Sequence, residues 1–276
     1  MINWLHDASI LMQAVFLSGA SVVLMWLGII FIKPLLGLLL KHQADTNGVV
    51  GNSISAFSMF YGLLLGLISV AIYRNFSNLS GSITREASIV AALYRNFSAY
   101  DPPVREELQK ALRAYVRTTI DEDWPTQMQV KVPTGGSDRV TLMYSKLTAY
   151  EPQRIGQQIL HAEALRQFNT FVEVRRTRLA NIVGSIPGVL WYVVLMGAAL
   201  NIPLFWMFDL RFLVHMTLGG IVAFFLGVMI LIIVNLERPF RGDVTVGAVP
   251  FAAVYDSMMR APSDGHGMEM RAAGDG

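Results

Sequence analysis

A chain of 276 residues in which 53% are apolar and only 15% charged, with a mean hydropathy of +0.45, departs from soluble domains, where about a quarter of residues carry charge. Its four apolar runs of 20 or more residues are too long for buried core helices, which excludes a soluble enzyme. The lack of cysteine excludes disulfide staples, thiolate metal sites and catalytic thiols, and the net charge of +2 hides an asymmetry: residues 74–182 hold 15 Lys and Arg against 11 Asp and Glu.

The first run, Ile10 to Ile32, is broken only by Gln13, Ser18 and Ser21 and stops at Lys33-Pro34. No Lys or Arg precedes it and it is longer than a signal-peptide core, so it reads as a retained span. Residues 35–40 are also apolar and either continue this helix past Pro34 or lie at the interface. The second run, Val49 to Tyr73, begins with Asn52, Ser53, Ser55 and Ser58 and carries a Gly62/Gly66 small-residue pair. The third, Val183 to Phe208, holds Pro187, Asn201 and Pro203; the fourth, Leu213 to Leu236, follows after a four-residue turn, so the two form a helical hairpin. Trp4, Trp191 and Trp206 fall near the predicted span ends, as aromatic belts do.

Four crossings place both termini and residues 74–182 on one side. Eight arginines near the span ends there, against Lys33, Lys41 and Arg211 opposite, predict that this side is cytoplasmic. The expected organisation is a cytoplasmic N-terminus (1–9), spans one and two (10–73), a cytoplasmic amphipathic helical region (74–182), spans three and four (183–236), a juxtamembrane segment (237–260) and a disordered tail (261–276).

Within 74–182 the period changes. Ala87, Val90, Leu93 and Phe97 recur at helical spacing over Ile83 to Ala99. Asp101-Pro102 reads as a helix start, with Val104, Leu108, Leu112, Tyr115 and Thr119 on one face. Asp121 to Pro125 is expected to end that helix, residues 125–140 to form a surface loop, and a long helix carrying Ile159, Leu165, Phe168, Val172 and Leu179 to run from about Arg154 straight into span three. The fold class is therefore all-α: a four-span membrane bundle with a cytoplasmic helical extension.

The five histidines (6, 42, 161, 215 and 266) lack the spacing that puts two imidazoles on one metal, and His161-Ala-Glu163 reads as a solvated helix face. Phosphate loops, nucleophile elbows and kinase motifs are absent; no catalysis, cofactor or nucleic-acid partner is expected. The sequons at Asn75, Asn78 and Asn96 matter only if the central region is extracytoplasmic, which the arginine count opposes. The uncharged span interiors disfavour ion-coupled pumping. They are compatible with a passive pore, whose candidate lining is the span-two stripe Phe57, Tyr61, Leu64 and Ile68 below the serines; ordinary helix packing explains the same stripe. Arg175, Arg176 and Arg178 are candidates for attracting anions to an inner mouth or for binding lipid headgroups, beside their plain role as a topology signal.

Three stretches carry a resemblance: residues 60–95 (FYGLLLGLISVAIYRNF to REASIVAALYR, with Arg85 and Glu86), residues 186–198 (IPGVLWYVVLMGA, with Pro187 and Trp191) and residues 236–251, opened by LERPFRG with Arg238, Pro239, Phe240 and Gly242. Together they resemble the bestrophin-like family of mostly bacterial membrane proteins, itself distantly similar to bestrophin anion channels. The resemblance implies a homo-oligomer, pentameric in bestrophins, with Phe57, Phe60, Tyr61 and Leu64 near a pore neck lined by span two. It also places Pro239-Phe240-Arg241-Gly242 where bestrophins have a turn leading to a calcium clasp. The clasp is not carried over, since only Asp243 follows among apolar residues and calcium needs several converging oxygens. The functions expected are a passive anion channel or, alternatively, a non-conducting membrane scaffold whose cytoplasmic helices bind a partner. The expected partners are lipid, further copies of the chain and inorganic anions.

Overall fold

A computed structural model describes residues 9–39, 46–183, 187–242 and 244–259, and every regular element among them is helical. Residues 1–8, including Trp4 and His6, lie outside the described residues, as do Lys41, His42, Asp243 and the expected tail.

Helix α1 (Ile10–Leu27) widens into a π-helical turn, Gly28–Ile32, and continues as α2 (Lys33–Leu39). In this turn the Lys33 N–H donates to the carbonyl of Gly28, five residues back. The chain thus passes Pro34, which has no N–H to give, without leaving helical geometry. Residues 35–39 therefore extend the first helix.

Helix α3 (Thr46–Phe97) is a single element of 52 residues. The sequence reading divides it at the polar stretch around Arg74 to Ser82. That stretch has no proline, and polarity alone leaves the backbone hydrogen bonds intact.

Helix α4 (Pro102–Thr118) leads through a π-helical turn, Thr119–Asp123, into α5 (Trp124–Met128). The stop expected at Pro125 does not occur, because Pro125 sits in the first turn of α5, where its missing N–H is harmless. Helix α6 (Gly135–Thr148) takes up the last part of the expected surface loop, from Gly135 onward. Helix α7 (Ile155–Ala180) ends in a 3₁₀ turn, Asn181–Val183, instead of running on into the third span. Pro187 caps α8 (Gly188–Trp206), which is followed by α9 (Phe212–Glu237) and, after a turn, α10 (Val249–Val254). Among the described residues, four stretches are long and apolar enough to cross a membrane: Ile10–Leu36, Gly48–Phe97, Gly188–Trp206 and Phe212–Glu237.

The described residues divide into two compact units, one comprising those up to Ser77 with those from 187 to Thr245, the other Asn78–Val183 with those from Val246. In the first, glycines set how closely the helices approach. A Cβ on Gly227 of α9 would lie 2.5 Å from Ser18 Cα of α1, and one on Gly28 would lie 1.8 Å from Trp206 Cε2. The Trp206 indole fills the space over Gly28 and donates to Met25 O at 3.2 Å. Buried Asn235 donates to the side-chain oxygen of buried Gln13 at 2.8 Å, so α1 and α9 share a polar pair inside apolar surroundings.

In the second unit the two amphipathic faces read from the sequence are the faces that pack. Ala87, Val90, Leu93 and Phe97 of α3 are buried, as are Leu108, Leu112, Tyr115 and Thr119 on the α4 side. Helix α7 behaves differently. It buries His161, Ala164, Phe168, Phe171, Arg175 and Arg178, while Ile159 is exposed. Phe251 of α10 is fully buried, its ring 5.9 Å from that of Trp124, whose indole N–H donates to Val246 O.

Candidate functional site

Span two is the section of α3 in the first unit, and its faces are unequal. Tyr61 is 7% exposed and Ile68 is buried, while Phe57 and Leu64 are half-buried against the same core. The Tyr61 hydroxyl donates to Val194 O of α8 at 2.7 Å. Its ring occupies the place a Cβ on Gly197 would take, 2.0 Å from Tyr61 Cε2. One turn earlier, Asn201 donates to Ser58 Oγ at 3.0 Å. The stripe Phe57, Tyr61, Leu64 and Ile68 is thus mainly the packing face of span two, at the angular period of 100° per residue. Phe60 differs: it is 71% exposed, beside exposed Met59, Leu63, Leu67 and Val70.

Between span two and α8 lies an open groove of about 440 Å³, lined by Phe57, Phe60, Tyr61 and Leu64 with Val189, Tyr192, Val193, Met196, Gly197 and Leu200. Its walls carry no charged side chain.

The second unit contains a buried charge centre. Glu86 and Arg178 are both fully buried; Arg178 Nε donates to Glu86 Oε2 at 2.8 Å and Nη2 to Oε1 at 3.2 Å. The Tyr115 hydroxyl donates to Glu86 Oε1 at 2.7 Å. The Arg178 guanidinium also lies 5.3 Å from the Trp124 ring and 5.7 Å from that of Phe251, distances at which a cation is attracted by an aromatic face. Burial works against the charged guanidinium, but Glu86 and Tyr115 outweigh it and hold Arg178 above its ordinary pKa. Burial and the neighbouring Glu86 push the Tyr115 hydroxyl up.

Asp123 and Arg175 flank this pair. Gly136 separates them: a Cβ there would lie 2.6 Å from Asp123 Oδ2 and 3.0 Å from Arg175 Nη2. Burial raises the Asp123 carboxyl above its ordinary range, against the lowering effect of Arg178, Arg175 and the Gly136 amide. Of the three arginines expected at an inner mouth, Arg178 is sealed and neutralised by Glu86, Arg175 is 6% exposed, and only Arg176 faces outward. Arg175 and Arg178 are therefore core residues. The sequence reading missed Asp123 and Trp124 because both sit in a stretch that looks like a helix terminus.

The remaining motif residues are dispersed. Arg85 is exposed and borders a small surface depression with Arg166. Trp191 donates to Glu237 Oε1 at 2.8 Å, tying α8 to the end of α9. Arg238, Pro239, Phe240 and Gly242 form a turn in which Phe240 is buried and Arg241 N–H donates to Arg238 O; Gly242 has φ 99°, a left-handed conformation that favours glycine.

His161, expected on a solvated face, is instead buried and 2.8 Å from the Tyr100 hydroxyl through Nδ1. Burial holds this imidazole below its ordinary pKa. Tyr100 is pushed up to about 12 by burial and by Tyr150. Among the described residues, no three His, Asp or Glu side chains gather in a way that could hold a metal ion.

A family model described as the bestrophin-like domain matches residues 19–251. No curated protein matches the chain. Solved structures do. A crystal structure of a bacterial bestrophin homolog from Klebsiella pneumoniae superposes with a TM-score of 0.62 at 14% identity, covering 90% of this chain and 100% of the other. A crystal structure described as a membrane protein gives 0.62 at 13% identity over 90% of this chain and 99% of the other. At these identities the likeness is one of fold.

Proposed function

From the premise that the chain belongs to the bestrophin-like family, we propose that it is a passive anion channel of the inner membrane. It works as a homo-oligomer with both termini cytoplasmic and span two of each copy lining the pore. The observation that carries this reading is the exposed face of span two: Met59, Phe60, Leu63 and Leu67 are left uncovered by the chain's own helices and bear no charge. A ring of such apolar side chains from several copies gates by dewetting, and the exposed Asn52, Ser53 and Ser55 at one end offset part of an anion's dehydration. In this reading Phe60 keeps its place in the lining, while Tyr61 and Ile68 hold the helix in position from behind. Arg176 supplies positive potential outside the spans.

The test is reconstitution. Protein purified in mild detergent, with its subunit number determined, is placed in liposomes and assayed for chloride and nitrate flux against protein-free vesicles. Flux from a defined oligomer is the expected result. A defined oligomer without flux across a range of pH, calcium concentration and voltage overturns the channel and leaves the membrane scaffold.

A further inference from the structure

His215, near the start of α9, is fully buried, and each of its ring nitrogens is committed. Nε2 lies 3.0 Å from the carbonyl of Phe205, which only accepts, so Nε2 carries a proton. Nδ1 lies 3.2 Å from Lys33 Nζ, an ammonium that only donates, so Nδ1 presents its lone pair. The neighbours thereby fix one neutral tautomer. Lys33 has two further partners in the hairpin between α8 and α9: Leu210 O at 3.2 Å and Asp209 Oδ1 at 3.7 Å. Among the described residues, Lys33 from α2 and Asp209 from the hairpin are the charged groups that act on His215. The Phe205 ring packs at 5.4 Å from the imidazole.

We infer that Lys33 and His215 form an acid-operated latch joining the end of the first span to the α8–α9 hairpin. A second proton on the imidazole has to enter at Nδ1, where it meets an ammonium. Donor then faces donor and cation faces cation, so the contact cannot survive in its present form. The lysine has somewhere to go, because the Asp209 side chain is 60% exposed and already close. Acidification therefore moves Lys33 off the histidine and towards Asp209, so that the end of the first span exchanges its tie to the start of α9 for a closer one to the hairpin turn. The device acts through one proton and needs no ligand.

The cysteine-free chain makes the test direct. Cysteines are introduced at exposed Leu35 and Leu213, which lie two residues from Lys33 and His215. Both are labelled with nitroxides, and the spin–spin distance in the intact reconstituted protein is measured from about pH 8 down to about pH 4, through and below the interval in which free imidazoles gain charge. A second distance population should grow along a one-proton curve. It should be absent in H215Q, whose carboxamide offers the same donor and acceptor but takes no proton, and in K33M, which lacks the opposing cation. A distance that ignores pH overturns the latch, as does a pH response that persists in either variant.

Discussion

Arg178 grips both carboxylate oxygens of Glu86 from a position 92 residues later in the chain, with neither side chain exposed to solvent. Such a pair fixes which faces of α3 and α7 meet. Water cannot replace either partner, so removing one strands a charge. R178M and E86Q should each lower the stability of the detergent-solubilised protein by about 3–5 kcal/mol. The double variant should recover a large part of that loss. Thermal unfolding followed by circular dichroism on the four proteins measures the coupling; strict additivity of the two single losses would mean that the pair is not a unit.

The tyrosine seated on a glycine in the first unit gives a second prediction. G197A puts a methyl group where the Tyr61 ring lies, and overpacking of this kind typically costs about 1–3 kcal/mol. Y61F leaves the ring in place and removes only the hydrogen bond to Val194 O, for about 1 kcal/mol. The order of the two melting temperatures, with G197A the lower, checks the assignment.

His161 predicts an acid limb in the stability profile. Burial holds its pKa below the ordinary imidazole value, so the folded state favours the neutral ring. The stability this contributes is full above about pH 6.5, the unfolded value, and is lost as pH falls through the lowered folded pKa. H161Q should flatten that limb while leaving the neutral and alkaline limbs parallel to the parent. Denaturant midpoints measured at a series of pH values decide it.

Cysteine scanning through span two tests which face meets water in the proposed channel. Single cysteines at Met59, Phe60, Leu63 and Leu67 should react with a membrane-impermeant thiol reagent, and those at Tyr61 and Ile68 should not. Reaction at Tyr61 and Ile68 with silence at Phe60 would reverse the orientation of the helix proposed here.

Much of the architecture was legible because lipid imposes a simple rule. Uncharged runs of span length have few alternatives to a membrane helix, and the four runs read from residues 10–32, 49–73, 183–208 and 213–236 each fall on one of the apolar helices, with ends displaced by a few residues except at the second, which runs on to Phe97. The faces of α4 and of the later part of α3 were legible for the usual amphipathic reason. On α7 the rule misled. Apolar periodicity selected Ile159 and Val172, yet the helix turns Arg175 and Arg178 inward because their partners, Glu86 and the aromatic rings of Tyr115 and Trp124, lie elsewhere in the chain. A buried ion pair has no local signature: each half looks like a surface residue until the other is placed beside it. The same holds for Lys33 and His215, separated by 182 residues. The stripe on span two left two readings open for a third reason. Periodicity identifies a face that is apolar, but it does not distinguish a face turned towards neighbouring helices from one turned away.

The seat that Gly28 offers to the Trp206 indole has an evolutionary corollary. Since a methyl group at position 28 and the indole at position 206 claim the same volume, a lineage can enlarge the first only after shrinking the second. The two positions should therefore drift together, and sequences of related chains should show a small residue at one paired with a large residue at the other, whichever way round the exchange has gone.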